Sequence, residues 1–542
     1  MKKCINKEIL LGNEAIVWGA LESGVDFVSV YPGTPSSEIG DVFSEIAKDH
    51  GVYFEVSTNE KVALEAAIGA SFSGLKSLVA MKNFGLNVAS DSLMPFAYTG
   101  TKGPAVIVVA DDPSCFSSAQ SEENSRGFAY LSHIPILEPS DAQEAKDFTK
   151  LGFEISEKFS IPVILRITTR VAHQRMLVCR SEINNSKAKG RFEKDVRRFV
   201  TMPPRVLEMK KELFEKLDKI KPYIEKINKT EDIKSSKSLG IICSGICYLY
   251  VKEALDQMNL KLPVLKIGSF YPLAEKSIKD FIKNIDNVLI VEELEGYLEK
   301  EVMALAKDTN CKVRVFGKDV LLFIGELDSE KVVFALSKIL KRKYKKPEVI
   351  SFNLAKRFPR LCTGCPYWTI FSAVKKSSPD AVFGGDIGCY MLSGFPPHNM
   401  QDYLFSMGSS IGIAHGIKKS ANQKLIAFIG DSTFFHSGIP ALINAVFNKS
   451  NPLIIIMDNR ITAMTGHQVN PGIGKTAMGE ATSEIKIEEI VKACGVKNLK
   501  VVNFSNVKEL ESFVKEFLNK DEVSVIIARG TCAYILRKQK QS

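Results

Sequence analysis

Two short polar stretches offer the clearest chemistry in this 542-residue sequence. Residues 424–430, KLIAFIG, read as a buried strand that ends in Gly430-Asp431-Ser432. A helical pattern follows, with Ala441, Ile443, Ala445 and Val446 spaced along it. The apolar run NPLIIIMDN then ends in Asp458-Asn459. The spacing predicts a strand–helix–strand unit with polar residues at the carboxyl ends of two strands, where parallel sheets place their ligands. Gly430 lets the backbone approach a phosphate closely. Ser432 and the helix start behind it offer donors to an anion. Asp431 and the side-chain oxygen of Asn459 are hard ligands suited to Mg²⁺, which bridges to phosphate oxygens. Taken singly, a tight turn or a plain strand end is the better reading of each stretch; it is the pair that is specific.

Glycine-Asp-Ser, helix, apolar strand and Asp-Asn, in that order and spacing, resemble the thiamine-diphosphate motif. The resemblance implies that Asp431, Asn459 and the backbone carbonyl of Ile461 complete a Mg²⁺ shell. Thiamine chemistry also needs a carboxylate on the aminopyrimidine ring, since the protein tunes a cofactor that does the chemistry itself. Further blocks resemble the 2-oxoacid:ferredoxin oxidoreductases, nearest to the large subunit of the indolepyruvate enzymes: YPGTPSSE (31–38), STNEKVALEAAIGAS (57–71), MKNFGLNVASDSLM (81–94) and ADDPSCFSSAQSEENSR (110–126). FGGDIGCYML (383–392), MGSSIGIAHG (407–416), residues 430–448 and MDNRITAMTGHQVNPG (457–472) extend the match over nearly the whole chain. By that resemblance Glu60 is the pyrimidine partner, Thr34 lies near the reacting centre, and Asp386, Gly388 and Cys389 line the thiazolium and diphosphate end. Glu60 opens a helix, where the dipole keeps a carboxylate ionised; Glu65, in mid-helix, is its local competitor. His436 and His467 are candidate acid–base groups, with a hydrogen-bonded structural role as the equal alternative. Cys362 and Cys365 form one CxxC, but a lone pair without a matching second one is weak evidence for a metal, and a structural or substrate-lining loop is the preferred reading.

The elements that must position these residues alternate. The pattern predicts a helix over 8–24, then strands and helices in turn, with SIPVILRIT near residue 165 as the last strand of the first sheet. Such alternation argues an α/β fold of parallel sheets flanked by helices, in several domains. The expected division is a pyrimidine-binding domain over 1–184, a helical connector over 185–237 with a long exposed helix, an α/β domain over 238–350, and a diphosphate- and Mg²⁺-binding domain over 351–542. Composition is that of a globular chain, 45% hydrophobic and 25% charged. Net charge is +10, with the lysines scattered and no basic stripe, which argues against nucleic acid. No apolar run approaches a membrane span and the start does not read as a signal peptide, so a cytoplasmic protein is expected. Its 11 cysteines then read as reduced thiols or ligands rather than disulfides.

The family resemblance implies oxidative decarboxylation of an aromatic 2-oxoacid such as indolepyruvate, coenzyme A as acyl acceptor, a ferredoxin-like electron acceptor, a small partner subunit and a dimer of heterodimers. Large subunits of this family usually continue into a ferredoxin-like domain with two cysteine runs. No such run is seen here and no iron–sulfur cluster is evident on this chain, which leaves three readings: clusters carried by a partner subunit, a fragment of a longer chain, or a protein that has left redox chemistry. A non-oxidative decarboxylase or lyase is the alternative.

Overall fold

The computed structural model describes residues 4–185, 189–232, 235–344, 346, 355 and 357–541. The chain divides into two compact units, 1–349 and 350–542, and both are α/β with parallel sheets flanked by helices.

The first unit begins with strands β1 (Asn6–Leu11), β2 (Phe27–Val30), β3 (Tyr53–Val56), β4 (Ser77–Lys82), β5 (Ala105–Asp111), β6 (Ile136–Leu137), β7 (Val163–Thr168) and β8 (Arg175–Arg180). It continues with β9 (Lys229–Glu231), β10 (Gly240–Ser244), β11 (Val264–Ile267), β12 (Ser269–Tyr271), β13 (Asn287–Val291) and β14 (Arg314–Phe316). A seven-stranded sheet has the order β12-β6-β7-β5-β4-β2-β3. Its strands are parallel except β12, which pairs antiparallel with β6. Every residue of β5 is buried, as expected for a strand covered by helices on both faces. A five-stranded sheet has the order β14-β13-β10-β11-β9.

Several sequence expectations are corrected here. The helix expected over 8–24 starts only at Gly12, because residues 6–11 pair antiparallel with β8. A Cβ on Gly12 would lie 1.9 Å from the Val171 carbonyl oxygen, so the chain turns at a residue without one. The same pairing sets Cys4 beside Cys179, and the two form a disulfide with Cα atoms 5.6 Å apart. The reduced-thiol expectation therefore fails for this pair, whose partners are 175 positions apart. β7 is not the last strand: it lies between β5 and β6, and β12 closes that edge from more than 100 residues downstream. The helix Arg205–Ile224 is not exposed all round, since it buries Met209, Leu213, Leu217, Ile220 and Ile224 along one face. The stretch expected as a pure helical connector also contributes β9, a polar edge strand too short to show a period.

The two sheets of this unit are joined by buried ion pairs as well as by β12. Arg126 donates to Glu138 at 2.6 and 2.7 Å, to Glu292 at 2.6 Å and to Ser244 at 2.6 Å. Arg166 donates to Asp111 at 2.8 Å and to Glu138 at 3.0 Å. The two arginines hold the Glu138 carboxyl down at about 2 against the opposing effect of its burial.

The second unit has β15 (Val382–Gly384), β16 (Leu425–Gly430), β17 (Leu453–Asp458), β18 (Asn498–Asn503) and β19 (Ser524–Arg529), all parallel in the order β15-β16-β17-β19-β18. Alternate residues of β16 serve two cores: Ile426 and Phe428 one, Leu425, Ala427 and Ile429 the other. Among the described residues no helix is long and apolar enough to cross a membrane.

Candidate cofactor site

In the second unit, Gly430 and Asp458 end adjacent strands, with Gly430 in register with Met457. Asp431 is buried and accepts from the Ser432 amide at 2.9 Å and the Asn470 side-chain amide at 3.0 Å. Burial, and then the neighbouring Asp458 carboxylate, push the Asp431 carboxyl up to about 7. Asp458 is neutralised by Arg529 at 2.6 Å, whereas the hydrogen bonds shown for Asp431 come from neutral amides. The Asn459 side-chain oxygen accepts from the Ile461 amide at 3.1 Å, which turns residues 459–461 back toward Asp431. A hydroxyl pair, Ser432 and Thr462 at 2.7 Å, ties the two loops together. A buried carboxylate without a cation beside it is costly. The donor set of Asp431, Asn459 and the Ile461 carbonyl thus fits a hard divalent cation, and the absent side chain of Gly430 lets the Tyr390 ring pack against the turn, 2.8 Å from where a Cβ would lie.

Asp386 follows β15 and is fully buried. Its carboxylate accepts from the amides of Ile387 and Gly408 at 2.7 Å and of Ser410 at 2.9 Å, yet burial still pushes it up to about 6. It pins the loop 386–389 to the start of the helix Ser409–Ser420. Gly388 has φ 153°, and a Cβ there would lie 2.5 Å from the Tyr390 ring. Tyr390 and Thr433 both donate to the Ile387 carbonyl, at 2.8 and 3.0 Å, so Gly388 and Cys389 are held against the Gly430–Thr433 turn. His436 lies in a π-helical turn, Phe434–Gly438, often a functional device. Its Nδ1 is 2.7 Å from the Ser437 hydroxyl, which donates to the Met407 carbonyl at 2.9 Å. His467 stacks on Tyr534 with ring centroids 4.4 Å apart. Asn470, which orients Asp431, escaped the sequence reading; a polar residue just beyond the Asp458-Asn459 turn was its only signal.

The first unit supplies a different strand-end site. Thr34, Glu60 and Gly85 follow β2, β3 and β4, three neighbours in the sheet. Glu60 is the first residue of the helix Glu60–Phe72, capped by Asn59, whose side chain accepts from the Val62 amide at 2.9 Å. Glu60 is 8% exposed. A Cβ on Gly85 would lie 2.5 Å from Glu60 Cγ and 2.9 Å from Oε1, so only glycine lets the two helices meet at that carboxyl. Glu65, the competitor, is exposed and accepts from Ser92 at 2.6 Å. Burial separates the two where the sequence pattern did not.

The cysteines also differ from the expectation of a lone CxxC. Cys365 and Cys389 share one neighbourhood with Cys362 and Cys532. Burial, then the neighbouring thiols, push Cys389 up to about 12, and burial with Cys362 and Cys532 raises Cys365 to about 11. Among the described residues, no three His, Cys, Asp or Glu side chains already stand in an arrangement that could hold a metal.

A glycine–aspartate turn and an Asp-Asn turn on adjacent parallel strands, with a buried helix-opening glutamate on another sheet, are the parts of a thiamine-diphosphate enzyme. Residues 386–528 match the family model "Thiamine pyrophosphate enzyme, C-terminal TPP binding domain". Residues 18–234 match "Pyruvate flavodoxin/ferredoxin oxidoreductase, thiamine diP-bdg", and 230–357 match "Indolepyruvate oxidoreductase domain". The indolepyruvate oxidoreductase subunit IorA of Methanothermobacter marburgensis is 44% identical over 534 residues, covering 96% of this chain and 86% of that protein. The subunit of the same name from Pyrococcus horikoshii is 42% identical over 561 residues, covering 97% and 86%. A solved 2-oxoglutarate:ferredoxin oxidoreductase from Magnetococcus marinus shares the fold at TM-score 0.51 and 18% identity, covering 62% of this chain and 65% of its own. The chain belongs to the indolepyruvate oxidoreductase IorA family and is a thiamine-diphosphate-dependent 2-oxoacid oxidoreductase subunit.

Proposed function

We propose that this chain is the large subunit of an enzyme that oxidatively decarboxylates an aromatic 2-oxoacid of the indolepyruvate kind. The 2-oxoacid, coenzyme A and two oxidised ferredoxins would give the acyl-CoA, CO₂, a proton and two reduced ferredoxins, with a small subunit completing the enzyme. Similarity to the IorA subunits along nearly the whole chain carries this reading.

In it, residues 1–184 form the pyrimidine-binding domain and 351–542 the diphosphate-binding domain. Asp431, the Asn459 side chain and the Ile461 carbonyl hold Mg²⁺; Gly430, Ser432, Asp386, Gly388 and Cys389 shape the diphosphate end. Bound thiamine diphosphate would supply a carbon nucleophile that attacks the oxoacid carbonyl and stores its electrons. Glu60 gives up or takes a proton at the aminopyrimidine ring, and its burial against Gly85 fixes the carboxyl's position and excludes water. Thr34 and His436 are the candidates for holding the oxoacid. Purified with its partner, the chain is expected to reduce a viologen dye only when arylpyruvate and coenzyme A are both present. Aldehyde release without coenzyme A would replace this reading with a non-oxidative decarboxylase.

A further inference from the structure

Lys82 is the last residue of β4 and stands where the active strand ends converge. Its stem passes the glycine before Thr34: a Cβ on Gly33 would lie 2.9 Å from Lys82 Cβ and 3.6 Å from Cδ. It also opens the turn into the helix Asn83–Thr99, whose Gly85 touches the Glu60 carboxyl. The side chain is 11% exposed. Among the described residues its ammonium makes one hydrogen bond, to the Ser117 carbonyl at 2.8 Å. The nearest carboxylate, Asp112, is 4.0 Å away and already committed. Asp112 accepts from the Ser117 amide at 2.8 Å and from the Ser118 and Thr169 hydroxyls at 2.6 Å.

Other cations around the carboxyl end of this sheet are spent. Arg126 and Arg166 are saturated by Asp111, Glu138 and Glu292, and Arg170 is held by Glu326 at 2.7 Å through two nitrogens. The loop beside Lys82 is held in an unusual backbone form. Ser114 and Cys115 are consecutive non-glycine residues at φ 67° and 53°, a conformation retained where surrounding contacts enforce it. Glu122 supplies them, accepting from the Ser114 amide at 2.6 Å and the Gly325 amide at 2.9 Å. The partly exposed Phe84 ring lies 5.1 Å from the ammonium and offers an aromatic face next to the charge.

We propose that the Lys82 ammonium, at the end of β4 with its stem packed against Gly33 next to Thr34, is the anchor for the carboxylate of the 2-oxoacid substrate. It rests on the oxidoreductase reading above and adds to it the group that recognises an acid. A buried ammonium with one neutral acceptor gains most from an incoming anion. Consistently, burial lowers the Lys82 pKa to about 8 even with the Asp112 carboxylate 4.0 Å away.

The test uses the full chain with its partner subunit. Two quantities are compared for wild type, Lys82→Met and Lys82→Arg: KM and kcat for arylpyruvate oxidation, and calorimetric binding of indolelactate, a carboxylate that cannot be decarboxylated by this chemistry. Lys82→Met is expected to weaken both indolelactate binding and KM by about 100-fold, the usual scale for a buried charge contact. Thiamine diphosphate affinity should hold, and Lys82→Arg should recover at least about tenfold of the loss. Unchanged indolelactate binding in Lys82→Met would overturn the assignment, and so would equal damage by Met and Arg accompanied by lost cofactor affinity. Wild-type complex that binds indolelactate through Lys82 but oxidises no 2-oxoacid would break the oxidoreductase reading while leaving the anchor in place.

Discussion

The carboxyl ends of β2–β4 and of β16–β17 share one architecture and differ in the charge they carry. At the first, one buried glutamate is fitted against a glycine, and a lysine with a single neutral acceptor stands nearby. At the second, two buried aspartates lie side by side and only Asp458 has an arginine. Strand ends of a parallel sheet thus supply a place, and the charge placed there selects the ligand. An excess of buried carboxylate calls for a metal ion, whereas a single buried carboxyl fitted against a close-packed glycine suits a neutral ring nitrogen.

The largest expected effect is at the metal end. Asp431→Ala should weaken Mg²⁺-dependent thiamine diphosphate binding by about 10³-fold, as calorimetry would show, since two or more charge-assisted contacts are lost. Equal affinity in the variant would erase the contrast between the two ends. A smaller effect is expected at Gly85. Gly85→Ala puts a methyl 2.5 Å from Glu60 Cγ and should lower kcat by about 30-fold, because a displacement near 1 Å at a reacting group is expensive. Gly69→Ala is the control, with nothing within 4 Å of its added carbon. It should leave kcat alone and stabilise the helix by about 0.5–1 kcal/mol in thermal unfolding.

A further effect, on stability alone, concerns a third buried strand end, after β13. Burial pushes the Glu293 carboxyl up to about 7, although it accepts the Leu327 amide at 3.1 Å. An acid whose folded pKa lies above its unfolded value favours folding while protonated, and stability declines as pH rises from about 4.5 to beyond 7. Glu293→Gln should therefore gain about 2 kcal/mol relative to wild type between pH 5 and pH 8 in denaturant unfolding. A pH-independent difference would mean that Glu293 is already compensated.

Much of this was legible in the sequence, and the gaps have physical causes. β5, β16 and β17 read correctly because strands covered on both faces are continuous apolar runs. Asp431 and Asn459 were visible because both sit on one local strand–helix–strand unit. β1 was absorbed into a helix because its six residues show no clean alternation, and pairing with β8 decides their state. The Cys4–Cys179 disulfide, the gathering of Cys362, Cys365, Cys389 and Cys532, and the fit of Gly85 to Glu60 all join distant parts of the chain. Composition and period carry no record of such contacts. Lys82 looked like one scattered lysine among many until the Gly33 turn and the Ser117 loop closed over it.

The proposed role of Glu60 in activating thiamine diphosphate is the claim on which the account turns. The most direct measurement is exchange of the thiamine diphosphate C2 proton in heavy water, followed by magnetic resonance on quenched samples of the Mg²⁺-loaded complex. Fast exchange in wild type and exchange about 10³-fold slower in Glu60→Gln at unchanged cofactor affinity are expected. Equal exchange rates in the two proteins, with cofactor bound to both, would contradict it.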